Sequence, residues 1–364
     1  MTDTSQTHTP SAQTNPSEPT EPAPTTPPGS NGSTRHAAAS ALSSGGVVRF
    51  LEAYALVLIT IAVAIFFSVT HPASVAFPTI NNFNVVLGNN AVVLLLALAA
   101  LFPLVSGFFD FSLGSTAVFS SVLCAGLQTK SGLPLVVAII IPLLVSLVIG
   151  VVNGLFVTTF KMSPFVTTLG MATLLSGVTI WYCNGRTFVL DGSSALISFG
   201  SSRWFDLPAV FFVVLIVAAV VWYFFRHTPY GRSLYAIGSN ATSARLVGVP
   251  VDRNVWTAFV VSALIAGFAG ILQLGRQGSA TAVDGGTLLF PALAAVFLGA
   301  TAIIPGFFNV VGTVISAIFV SIAVSGLTLM GASGWATNVF NGGALLVAVG
   351  LSTYLGRRKL RGQG

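Results

Sequence analysis

Charge is what this sequence most lacks. Only 7% of its 364 residues are Asp, Glu, Lys or Arg, where an ordinary globular domain carries about 25%. So few charges cannot cover a water-exposed surface, which excludes a soluble globular protein for most of the chain. Cysteine is nearly absent as well. Cys124 and Cys183 fall in or beside apolar stretches and read as single buried thiols, with no disulfide or metal framework. The four histidines, His8, His36, His71 and His227, are scattered without metal-ligand spacing. No Gly–Lys pair occurs anywhere, so a phosphate-binding loop of the G-x-x-x-x-G-K-[ST] kind is missing. No Ser/His/Asp set can be nominated on rigid elements. These absences argue against an enzyme and against any resident metal or cofactor, and they leave nucleotide chemistry to a partner.

What remains is apolar. Hydrophobic residues make up 54% of the chain and the mean hydropathy is +0.89, so lipid is the solvent for most of it. The net charge of +6 does not point to nucleic acid, because the basic residues sit at the ends of apolar runs, where membrane topology explains them. Residues 1–41 contain no Leu, Ile, Val or Phe. Such a segment cannot offset the entropy of ordering and is expected to be disordered; its polar start and late apolar run do not fit a signal peptide. The expected division is a disordered tail over 1–46, a transmembrane domain over 47–356 and a basic tail over 357–364.

A spanning helix needs about 20 apolar residues. Candidates fall at 50–70, 85–106, 111–127, 134–159, 164–182, 208–225, 254–274, 290–304, 309–330 and 337–355, about ten in all, with 111–127 and 290–304 short. Pro103, Pro142, Pro164 and Pro291 punctuate them, and such breaks are tolerated only where protein or a wet cavity satisfies the freed backbone. With an inside N-terminus, inner segments hold Arg35, Arg49, Lys161, Arg226, Arg232, Arg245, Arg253, Arg357, Arg358, Lys359 and Arg361. Outer loops hold Lys130, Arg186, Arg203 and Arg276. Eleven against four accounts for all 15 basic residues and places both termini, and 226–253, in the cytoplasm.

Four stretches could carry function. Residues 226–253 form a polar, basic island between two apolar runs. Pro229–Tyr230–Gly231 reads as a turn. Ser239 or Asn240 can cap a short helix over Ala241–Val247, closed by Gly248 and Pro250. Small residues at Ala241 and Ala244 permit close approach, and Arg245 offers a donor fork to a carboxylate. The residues alone leave two readings open, a docking helix or a solvated linker. Asp110, in SGFFDFSLG at 106–114, is the sole acid between Glu52 and Asp191. Near hydrocarbon it must face protein or water, either lining a pathway or capping the next helix through the N–H groups of Ser112 and Leu113. Lys161 to Gly170 forms a basic turn with Ser163 as cap and Pro164 in first helical position; Thr167, Thr168 and Gly170 would admit a neighbouring helix. Last, Asp284–Gly285–Gly286, Pro291, Gly299, Pro305–Gly306 and Asn309 surround one short apolar run and suggest a discontinuous helix. Gly107–Phe108–Phe109–Asp110 weakly echoes Gly306–Phe307–Phe308–Asn309, which in a chain rich in Gly and Phe reads as coincidence.

Three blocks resemble the permease subunits of ATP-binding-cassette importers for simple sugars, the ribose-permease-like family. These are SGFFDFSLG at 106–114, VNGLFVTTFKMSPFVTTLGMATLLSGV at 152–178 and TPYGRSLYAIGSNATSARLVGVPVDR at 228–253. The likeness spans about 50–355. It departs at Phe108, where the family carries a second glycine, and at LLFPALAAVFLGA over 288–300, where an acidic stretch is common. It implies an all-α integral membrane protein, a type II importer-like bundle of about ten helices in a bacterial plasma membrane. The implied partners are a separate ATPase, an extracytoplasmic solute-binding protein, and a second copy or sister permease. Ser239–Gly248 would be the coupling helix, with Gly231, Gly238, Asn240, Ala244, Arg245, Leu246 and Gly248 as coupling residues. Asp110, Ser112, Gly114, Asn153, Phe165 and Thr168 would line the pathway or form a helix break. An ion-coupled secondary transporter is the alternative, with Asp110 as its one intramembrane acid.

Overall fold

The computed structural model describes residues 54–283 and 285–361, with side chains to 351. The expectations for the 1–46 tail, for Arg35 and Arg49, for Asp284 and for the side chains of the basic C-terminal cluster lie outside those residues. The described residues are mostly helical, with two pairs of two-residue strands and irregular connections between the helices.

Each of the ten apolar windows falls on a helix. In chain order the first helices are α1 (Tyr54–Val69), α2 (Ala73–Ala76), α3 (Ile80–Val105), α4 (Leu113–Thr129), α5 (Leu135–Thr158), α6 (Pro164–Cys183), α7 (Ala195–Ser201) and α8 (Ala209–His227). There follow α9 (Pro229–Ser239), α10 (Ala241–Leu246), α11 (Val251–Gln277), α12 (Gly286–Gly299), α13 (Val310–Leu329) and α14 (Gly334–Arg361). Seven of the described helices are long and apolar enough to cross a membrane; α1, α4 and α12 are shorter.

Helix α11 is the centre, packing along α3, α4 and α5. Its small residues make this possible, since Gly267 and Gly270 lie directly against Ser146 of α5 and the Ala117 carbonyl of α4. Without water to drive association, membrane helices hold together by such close approach. Helix α3 is buried along most of its length, and 26 residues reach about 39 Å. It begins at Thr79, whose hydroxyl accepts from the Asn82 N–H at 3.2 Å.

The bundle has two distinct ends. At one, the C-terminal ends of α3, α5 and α8 meet α9, α10 and the start of α11. At the other, β1 (Phe188–Val189) pairs antiparallel with β4 (Ser279–Ala280). There α7 packs on the end of α11, and the Lys130 ammonium donates to the Tyr182 carbonyl at 2.8 Å. A second strand pair, β2 (Arg203–Trp204) with β3 (Leu207–Pro208), leads into α8.

The break expected around 290–304 is present. Helix α12 stops at Gly299, and irregular backbone follows to Asn309, with Ile303 and Gly306 at positive φ. Asn309 satisfies the freed carbonyls. Its Nδ2 donates to Gly299 at 3.2 Å, Ala302 at 3.0 Å and Phe307 at 3.1 Å. Its Oδ1 accepts from the Gly312 N–H at 2.6 Å, capping α13. The echo between 107–110 and 306–309 is therefore structural rather than coincidental. Gly107 and Gly306 share φ near +86° and +87°, and Asp110 and Asn309 each accept an N–H from the start of the next helix. The same local task, a sharp reversal followed by a new helix, selects the same residues twice.

Candidate functional site

The polar island folds as a helical hairpin. Pro229–Tyr230–Gly231 is not a free turn but the first turn of α9. The Thr228 hydroxyl accepts from the Gly231 N–H at 3.2 Å, and Pro229 takes the first helical position, where its missing N–H costs nothing. Asn240 rather than Ser239 starts α10, its Oδ1 accepting from the Ser243 N–H at 3.0 Å. The helix ends one residue before the expected Val247, and Gly248 closes it at φ +85°. Only glycine adopts that conformation without strain.

Six residues rise only about 9 Å and cannot hold a helix alone. The bundle supplies what is missing. Ala244 is 4% exposed and packs in a cluster with Val157, Ile237, Val251, Val255 and Phe259. The opposite face projects, with Leu246 84% and Val247 80% exposed. Arg245 meets a carboxylate within its own chain. Asp252 Oδ1 accepts from Arg245 at 3.0 Å and from Lys161 at 2.8 Å. All three side chains are more than half exposed, so each pair contributes about 0–1 kcal/mol.

Helix α9 ties this hairpin to both reversals. Gly238 sits so close to the Val105 carbonyl at the end of α3 that a Cβ there would overlap the oxygen. Beside it, Phe108 packs against the cluster that holds Ala244. On the other side, the Tyr235 hydroxyl donates to the Phe308 carbonyl at 2.7 Å. Burial pushes the Tyr235 phenol up to about 12, so it stays a donor at physiological pH. Tyr230 anchors the start of α9, donating to the Asn254 carbonyl at 3.1 Å.

The residues singled out at the first reversal converge. Asp110 Oδ1 accepts from the Ser112 N–H at 2.9 Å and the Ser112 hydroxyl at 2.6 Å. The Ser112 hydroxyl accepts in turn from Asn153 Nδ2 at 2.9 Å. Thr168 Oγ1 accepts from the Phe111 N–H at 3.0 Å, and Phe165 meets Phe111 edge-on at 5.4 Å. Gly114 lies against the Gly285 carbonyl, where a Cβ would overlap it. Capping therefore differs in detail from expectation: Asp110 takes the Ser112 N–H, and Ser112 occupies the cap position of α4. Ser163 holds the cap position of α6 without a side-chain hydrogen bond. Among the described residues no atom lies within 4 Å of where a Cβ on Gly170 would sit. Among the described residues, no group of three or more His, Cys, Asp or Glu could hold a metal.

Tyr235, Phe108, Asp252 and Asn309 carry contacts that sequence reasoning did not assign. The repeated Gly-Phe-Phe-Asp/Asn pattern was the available signal for Asn309.

Residues 85–349 match the family described as branched-chain amino acid transport system / permease component. The chain belongs to this permease family. The permease is 29% identical to the ribose import permease protein of Haemophilus influenzae over 303 residues, covering 82% of this chain and 94% of that one. It is 30% identical to the ribose import permease protein of Escherichia coli K12 over 295 residues, covering 79% and 91%. The autoinducer 2 import system permease protein of Photorhabdus luminescens is 28% identical over 275 residues, covering 73% and 82%. No solved structure matches the chain. The permease is thus an all-α, multi-pass membrane protein, a transport subunit rather than an enzyme, similar over most of its length to import permeases.

Proposed function

We propose that the protein is the permease subunit of an ATP-binding-cassette importer that translocates a monosaccharide or related small polar solute. A separate ATPase docks at the α9–α10 hairpin, and an extracytoplasmic binding protein hands over the solute at the far end. A second copy or a sister permease completes the pore, with both termini in the cytoplasm. The observation that carries this reading is α10: a helix too short to stand alone, backed by buried Ala244, that presents Leu246 and Val247 to solvent. Exposed aliphatic pairs on a polar hairpin suit a protein partner.

In this mechanism, ATP-driven closure of the ATPase pushes α10. Helix α9 passes the displacement on through Gly238 to the end of α3, and through Tyr235 to the break after α12. Both reversals sit between packed helices, so a small shift there favours one bundle arrangement over another. The chain itself performs no covalent chemistry.

Leu246→Glu combined with Val247→Glu tests the docking face. The full chain is expected to insert normally, while ATPase that co-purifies with the unsubstituted permease no longer does so. Unchanged co-purification would overturn the assignment of α10.

A further inference from the structure

At the end of the bundle away from α10, the first turns of α3 carry Asn81, Asn82, Asn84, Asn89 and Asn90. Three cavities of about 420, 280 and 240 Å³ open beside them and adjoin one another through shared lining residues. The first two share Asn89, the first and third share Val85, and the second and third share Arg276. Amides at this density on a spanning helix are costly against lipid, so they face water or a polar ligand.

Arg276 is seated for a purpose. Its guanidinium fills the notch left by Gly88, where an added Cβ would overlap it, and it donates to Asn89 Oδ1 at 3.2 Å. Among the described residues no carboxylate pairs with it. Beside it in the smallest cavity, Asn84 is only 5% exposed, and neither its amide nitrogen nor its oxygen has a partner among the described residues. In the largest of the three cavities, buried Asn341 leaves its Oδ1 without a partner among the described residues. Buried polar groups are normally hydrogen-bonded, so these orphans call for a ligand that both donates and accepts.

We propose that this vestibule is a solute subsite and that it takes an uncharged, polyhydroxylated molecule, with Asn84 and Arg276 as its principal contacts. This deepens the permease reading and rests on it. Each hydroxyl donates and accepts, which matches an amide on both counts. The guanidinium supplies fixed donors for a ring or carbonyl oxygen. Arg203 and Arg276 both line the smallest cavity, and their positive charge disfavours a cationic amino sugar. The largest of the three cavities also reaches Thr287 in the first turn of α12, whose far end leads into the irregular segment that Tyr235 of α9 contacts at Phe308.

The test uses full-length permease carrying Val85→Cys, a position on the rim of two of the cavities. The native thiols Cys124 and Cys183 are buried and give a low background. Maleimide labelling is followed with ribose, and in parallel with glucosamine, as the probes. Ribose is expected to slow labelling several-fold and glucosamine to have little effect, and Arg276→Gln or Asn84→Leu is expected to remove the protection by ribose. Absence of protection by ribose, equal protection by glucosamine, or protection that survives both substitutions would overturn the proposal. No ATPase is present, so such a failure leaves the docking assignment standing. Loss of the docking assignment in the co-purification experiment would likewise leave the protection result intact.

Discussion

Gly238→Ala tests the transmission step most sharply. The Gly238 backbone lies against the Val105 carbonyl with no room for a methyl group, and the obstructing atom is backbone rather than the end of a flexible side chain. The added carbon forces α9 away from the end of α3 in this arrangement. Overpacking of a tight contact costs about 1–3 kcal/mol. Applied to one bundle arrangement and not the other, that shifts their ratio by about 5–150-fold. The assay is ATP-dependent uptake in proteoliposomes holding permease, ATPase and binding protein, compared with Gly170→Ala. No described atom lies within 4 Å of where a Cβ on Gly170 would sit, and alanine in a helix is favoured over glycine by about 0.5–1 kcal/mol, so that variant is expected to keep normal uptake. Gly238→Ala is expected to insert, retain the ATPase and lose most uptake. Normal uptake would refute the reasoning. Loss of ATPase binding in place of uptake would move Gly238 from transmission to docking. Tyr235→Phe, which removes only the hydroxyl that holds the Phe308 carbonyl, gives a milder check should the alanine variant not fold.

The two reversals respond differently to the same exchange. Asp110→Asn keeps an acceptor for the Ser112 N–H and hydroxyl, so uptake is expected to persist; complete loss of uptake with normal assembly would assign the carboxylate to the transport pathway. Asn309→Asp removes three donated hydrogen bonds and sets a carboxylate against three carbonyls, and a drop of about 3 kcal/mol or more is expected, read as a lowered thermal midpoint in detergent. Arg245→Met breaks an exposed pair with Asp252 and is expected to change stability by less than about 1 kcal/mol, with docking measured by co-purification reduced far less than by the paired substitutions at Leu246 and Val247.

Much of this architecture is legible in the chain because membrane helices write themselves in long apolar runs. All ten windows land on helices, and their ends shift by a few residues where caps decide, as at Thr79 and Asn309. The site is legible where chemistry is local. Asn240 and Gly248 announce α10 by their capping preferences, and Asp110 announces the start of α4. What was not legible depends on packing between distant segments. Pro229–Tyr230–Gly231 carries turn residues, yet Thr228 and the neighbouring end of α8 make it a helix start. The contact of Tyr235 with Phe308, 73 residues apart, leaves no trace in spacing. The carboxylate for Arg245 lies seven residues on, at Asp252, which sequence reasoning had not singled out. Gly170 and Gly238 look alike in the chain, and only the fold separates an open position from a tight one.

The central claim is that this chain moves solute only when an ATPase acts on the α9–α10 hairpin. Ribose uptake into proteoliposomes tests it directly, with the permease alone under proton or sodium gradients, and with the co-purifying ATPase and binding protein plus ATP. The account predicts accumulation only in the second case, abolished by Leu246→Glu with Val247→Glu. Gradient-driven accumulation by the permease alone would contradict it and assign the buried Asp110 carboxylate an ion-coupling role.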